Sequence, residues 1–156
     1  MTRLPTLFVS HGSPMLALEP GTTGPVLTKV GERLPRPKAI LVISAHWLTH
    51  QPTLSSSKAP ETIHDFGGFP RALYSLQYPA PGSPELATQV QAMLKNIGLE
   101  AKLDEQRGLD HGAWVPLRYL YPQADIPVVQ LSLNPSVPPK LQFALGQFLQ
   151  NLSAEG

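Results

Sequence analysis

The chain has no cysteine among its 156 residues. That excludes a disulfide framework, thiolate metal sites, a cysteine nucleophile and iron–sulfur clusters. Charge is scarce as well: Asp, Glu, Lys and Arg make up 15% of the residues, against about 25% in ordinary globular chains. Twelve basic residues nearly balance eleven acidic ones, for a formal net charge of +1. A surface so close to neutral lacks the positive field that a polyanion needs, so no nucleic-acid partner is expected. Long apolar runs are missing too. The longest purely aliphatic one, Ala39 to Ile43, falls far short of the roughly 20 residues that span a bilayer. The opening Met-Thr-Arg-Leu-Pro turns into a short strand pattern, without the apolar stretch and small-residue cleavage site of a secretion signal. A cytoplasmic protein with no membrane partner is the expectation.

What the chain has in excess is proline, 18 residues or about twice average usage. The prolines stand between apolar segments and read as loop punctuation, not as a low-complexity linker. With 42% hydrophobic residues there is enough apolar material for one core, and residues 1–156 read as a single domain. Ala39 to Ser44 is the clearest strand, apolar on both faces as a doubly covered parallel strand must be. Thr6 to Ser10 reads as an earlier strand and Pro25 to Leu34 as the helix between them, giving a right-handed βαβ unit. Ser83, Pro84 and Glu85 read as a helix N-cap, a first-turn proline and an acidic first turn. That helix runs to about Ile97 and stops at Gly98. Leu99 to Leu103 and Val128 to Leu133 read as strands, Ala113 to Tyr121 and Pro138 to Leu152 as helices. The alternation predicts an α/β fold with a mostly parallel central sheet flanked by helices.

Five histidines carry most of the chemistry. His11 follows the first strand pattern and His46 the strongest one. Carboxyl ends of neighbouring parallel strands are where open α/β sheets place ligands, and strands about 4.8 Å apart can bring two imidazoles to one metal. Against this, a histidine after a strand is more often a hydrogen-bonded loop residue than a ligand. His64 and His111 lie in polar, glycine-bearing loops, beside Asp65 and Asp110. Imidazole next to carboxylate suits general acid–base work, while helix or turn capping by the two aspartates is the plainer account. His50 has no such company and reads as solvated. There is no Gly-x-Ser-x-Gly elbow and no glycine-rich phosphate cradle. Tyr74, Tyr78, Trp47 and Trp114 could line an aromatic pocket or simply fill the core.

Five motifs occur together and in order: His11-Gly12-Ser13-Pro14, Ser44-Ala45-His46-Trp47, Thr62-Ile63-His64-Asp65-Phe66-Gly67-Gly68-Phe69-Pro70, Tyr78-Pro79-Ala80-Pro81-Gly82-Ser83-Pro84 and Asp110-His111-Gly112. In this the sequence resembles the LigB-type, class III extradiol ring-cleavage dioxygenases of the DOPA 4,5-dioxygenase-like group, over nearly its whole length. The resemblance implies that His11 and His46 bind a non-haem metal. It implies that His111 is the acid–base or substrate-contacting group and that His64 lies at the substrate side of the same pocket. It implies Fe(II) for catalysis, with Zn(II) as an alternative occupant, and a small catechol and O2 as the reactants. Zinc could hold the catechol but has no redox couple with which to activate oxygen.

Members of that family continue past the point equivalent to Gly156, with further strand-end histidines. The resemblance therefore implies that this chain carries the N-terminal portion of the fold. Two histidines leave a facial site short of a third ligand, and an unfinished sheet exposes an edge that favours pairing into a homo-oligomer. Two other functions stay open at this point: a non-catalytic metal- or catechol-binding homologue, and a metal chelatase, a class of α/β protein that also begins with a strand followed by His-Gly-Ser.

Overall fold

In the computed structural model, which describes residues 3–156, the two most apolar segments become neighbouring parallel strands. β1 spans Ile40–Leu48 and β4 spans Val128–Leu133. They pair from Ile40 opposite Val128 to Ile43 opposite Leu131. β2 (Thr53–Ser55) and β3 (Lys102–Asp104) complete the sheet in the order β1-β4-β2-β3. The β1–β4 and β2–β3 pairs are parallel, and β4–β2 is antiparallel. The mostly parallel α/β sheet expected from the sequence is what forms.

Helices cover both faces: α1 (Thr23–Arg33), α2 (Arg71–Tyr74), α3 (Pro84–Asn96), α4 (His111–Leu120) and α5 (Pro139–Leu149). The two-residue period of β4 divides the core. Val128 packs with Leu27 of α1 and with Trp114 and Leu117 of α4. Val129 and Leu131 point the other way, against Ala87, Val90 and Leu94 of α3 and Leu149 of α5. α3 starts where its cap residues demand. The Ser83 hydroxyl accepts from the Leu86 N–H at 3.1 Å, and Gly98 at φ +79° ends the helix in a conformation that favours glycine.

One expected strand does not form. Residues 6–10 make no ladder pairing, so the first βαβ unit is absent from the described residues. An apolar run becomes a strand only beside a neighbour offering free N–H and C=O groups in register. Here the run lines a cavity of about 690 Å³ together with Val42, Ile43, Pro116 and Leu149, and Val9 packs against the core. Phe8 is fully exposed. β1 is thus an edge strand, with Ile43 and Leu48 half exposed. No helix among the described residues is long and apolar enough to cross a membrane.

Candidate metal centre

His46 lies inside β1, not after it. Beyond Ile43 the register with β4 shifts: Leu48 pairs with Leu133, so five steps along β1 match two along β4. Such an irregularity frees residues from the ladder and re-aims their side chains, a common device beside functional sites. Ser44 turns inward and is buried. Its Oγ donates to Asp110 Oδ1 at 2.7 Å and accepts from the His46 N–H at 3.2 Å.

Asp110 is completely buried. It holds the N-cap position of α4, yet its carboxylate makes no capping bond. The side chain is committed elsewhere: it accepts from Ser44 Oγ at 2.7 Å, Arg107 Nη2 at 2.9 Å and Gln130 Nε2 at 2.9 Å. Its own N–H donates to Gln130 Oε1 at 3.0 Å. A buried carboxylate survives only when paired and fully hydrogen-bonded, and this one ties β1, β4 and α4 together. Arg107 also lies over the Trp47 ring, 4.8 Å from its centroid.

The result is that His111, the first residue of α4 and itself buried, stands against His46. Their ring centroids are 3.9 Å apart. Gly112 makes the approach feasible: a Cβ there would collide with Ser44 Oγ and come within 3.1 Å of His46 Cδ2. His111 is also gripped from the opposite side. Asp65 Oδ1 accepts from both the His111 backbone N–H at 3.0 Å and ring Nδ1 at 2.9 Å. Partial burial pushes the Asp65 carboxyl up, but the two bonds from His111 outweigh it and hold the group below its ordinary value. The loop carrying Asp65 is fastened by a parallel bridge between Thr62 and Leu109. Trp114 Nε1 reinforces it, donating to Ile63 O at 2.9 Å.

His11 reaches the same place from the unpaired N-terminal run. The Ser10 hydroxyl accepts from the Gly12 N–H at 3.2 Å, and Ser13 Oγ from the Met15 N–H at 3.2 Å. Gly12 itself has φ +60°, so the turn that aims His11 favours glycine. His11 Nε2 lies 3.0 Å from His46 Nε2. Its ring centroid is 4.7 Å from that of His46 and 4.9 Å from that of His111.

One potential ligand atom from each of His11, His46 and His111 lies within 4.8 Å of the other two. Two imidazole nitrogens 3.0 Å apart and each about 2.1 Å from one ion subtend about 90° at it, the angle between adjacent ligands of an octahedral site. An all-nitrogen set suits iron or zinc, and the residues present fit a metal. His11 Nδ1 is buried with no hydrogen-bond partner, whereas His111 Nδ1 is held by Asp65.

His64 does not join the three rings directly. Its Nε2–H donates to Leu76 O at 2.9 Å. The ring sits among Phe66, Tyr74 and Trp114, with centroids 5.8, 6.1 and 5.8 Å away. Phe66 in turn lies edge-on to His111 at 5.6 Å. His50 is exposed and stands apart from the cluster. The sequence points to His11, His46 and His111 but not to Gln130 or Arg107. The one available hint was Gln130, a lone amide inside the otherwise apolar Val-Val-Gln-Leu. Asp65 and Asp110, which read as caps, instead hold side chains from distant segments.

Residues 5–155 match the family model described as the catalytic LigB subunit of aromatic ring-opening dioxygenase. The chain is 49% identical to the 4,5-DOPA dioxygenase extradiol of Escherichia coli K12, over 99% of its own length and 57% of that protein. It is 48% identical to the protein of the same name from Beta vulgaris, over 97% of its length and 58% of the relative. These relatives are therefore much longer than the stretch they share with it. A crystal structure of an uncharacterized protein from E. coli K12 superposes with a TM-score of 0.70 at 39% identity, covering 85% of this chain and 49% of that one.

Proposed function

The chain belongs to the LigB family of aromatic ring-opening dioxygenases, and from that premise we propose that it serves a non-haem, metal-dependent extradiol dioxygenase that opens the ring of a small, DOPA-like catechol. His11 and His46 hold the metal, His111 is the acid–base group, and His64 belongs to the substrate side. When bound, Fe(II) supplies open coordination positions and a redox couple that lets O2 react with a catechol, which Zn(II) lacks. The observation that carries this reading is the 3.0 Å approach of His11 Nε2 to His46 Nε2 with His111 beside them.

The residues divide the work by chemistry. His11 and His46 offer lone pairs to the cation. His111, with Nδ1 tied to Asp65, keeps Nε2 free to take a proton from a catechol hydroxyl and to return it later. Phe66 and Tyr74, half-buried beside His64, form an apolar wall against which an aromatic ring packs and from which water is displaced, with the fully buried Trp114 backing them. A cytoplasmic setting is part of the same proposal.

Protein loaded anaerobically with Fe(II), then given O2 and a DOPA-type catechol, is expected to take up oxygen and form a yellow ring-opened product. Folded, iron-loaded protein that consumes no oxygen overturns the proposal. The mutual closeness of all three histidines favours a second reading, in which His111 is a third ligand. Zn(II) titration of His111→Ala separates the two: unchanged affinity fits an acid–base group, and a large loss fits a ligand.

A further inference from the structure

The His111 ring has two nitrogens, and which one carries the proton decides what the ring can do. A neutral imidazole free in water favours the proton on Nε2; a hydrogen-bond acceptor at Nδ1 reverses that choice. Asp65 Oδ1 lies 2.9 Å from His111 Nδ1 and also accepts the His111 backbone N–H at 3.0 Å. A carboxylate oxygen has only lone pairs to offer, so Nδ1 must bring the hydrogen. The double contact fixes Asp65 to both the backbone and the ring of one residue, which leaves the ring little freedom to flip.

From this we infer that Asp65 is a positioning residue: it selects the Nδ1–H form of His111 and so turns an Nε2 lone pair toward His11 and His46. Forty-six residues separate the two in sequence. Contact is made because Thr62 bridges to Leu109 and the Ile63 N–H donates to Leu109 O at 2.8 Å. These contacts seat the Asp65 loop alongside the residues that open α4. Ring rotation is opposed on the other side by His46, whose centroid is 3.9 Å away, and by the edge of Phe66 at 5.6 Å. An Nε2 lone pair is what either role of His111 requires, as base or as ligand. The use made of it rests on the function proposed above; the choice of tautomer does not.

The test is a long-range proton–nitrogen correlation spectrum of the metal-free chain with 15N-labelled histidine, the His111 signal being assigned by its loss in His111→Gln. Wild-type His111 is expected with the proton on Nδ1 and a bare Nε2. Asp65→Ala is expected to shift the ring to the Nε2–H form. Asp65→Asn, whose amide oxygen still accepts, is expected to keep Nδ1–H. A wild-type ring protonated on Nε2 overturns the inference, as does an Asp65→Ala spectrum identical to wild type. Should Asp65→Ala fail to fold, the wild-type and Asp65→Asn spectra decide the matter alone. In Fe(II)-loaded protein, Asp65→Ala is expected to lower kcat while leaving KM nearly unchanged. Absence of turnover in the wild type counts against the dioxygenase function and leaves the spectrum to judge the tautomer.

Discussion

Two sides of the histidine cluster are built very differently. His46 and His111 stand on β1 and α4, which a buried carboxylate network and a packed core hold in one arrangement. His11 stands on a run with no strand partner, beside a cavity of about 690 Å³, with its own Nδ1 unpaired. A site needs its supporting groups fixed to well under an ångström to act efficiently. The fold supplies that precision to two of the three rings. The third is placed by a glycine turn and two serine hydroxyls, which is a lighter hold.

If this contrast is real, substitutions on the anchored side must disturb the fold and those on the other side only the site. Asp110→Ala should have the largest effect, because it strands Ser44, Gln130 and Arg107 in the interior. A loss of about 3–5 kcal/mol is expected from breaking a buried, fully bonded charge, measured by urea denaturation. Gly112→Ala comes next, at about 1–3 kcal/mol for overpacking, since the new methyl group must displace Ser44 or His46. Its Zn(II) affinity should fall together with its melting temperature.

Tyr78→Phe should be milder. Its buried hydroxyl donates to Tyr121 O at 2.9 Å, a bond at the far end of α4, so about 1 kcal/mol is expected at neutral pH. Burial also pushes the Tyr78 phenol well above its ordinary value. The unfolded phenol ionises near pH 10 while the folded one resists. Stability from this group is therefore intact below about pH 10 and lost as pH rises above it. Tyr78→Phe should flatten that alkaline decline in part, Tyr119 and Tyr121 being raised too. The smallest effect on the fold belongs to His11→Ala, within about 0.5 kcal/mol. Yet its Zn(II) binding should weaken by more than the roughly 10–100-fold that loss of a ligand's supporting partner costs. A large drop in melting temperature for His11→Ala would erase the distinction between the two sides.

Much of the architecture was legible because it rests on local patterns. β4 runs over Val128–Leu133 as its apolar run predicts, and α3 begins at Pro84 behind its serine cap. β2 and α2, three and four residues long, are too short to show a period. Residues 6–10 have the pattern of a strand without a partner, and pattern alone cannot supply one. β1 runs on to Leu48 because pairing with β4 resumes after an irregularity that residue types do not announce.

The sequence by itself determined the alternation of apolar segments, the glycine and proline punctuation, and the histidines available to hold a cation, since composition and short-range sterics act residue by residue. Only the tertiary structure decided that Asp65 serves His111, that Asp110 binds Ser44, Arg107 and Gln130, and that three imidazoles converge. Those contacts join residues 20 to 100 positions apart (Arg107 excepted). They form only once burial of two apolar faces of one sheet has fixed where each strand and helix end lies.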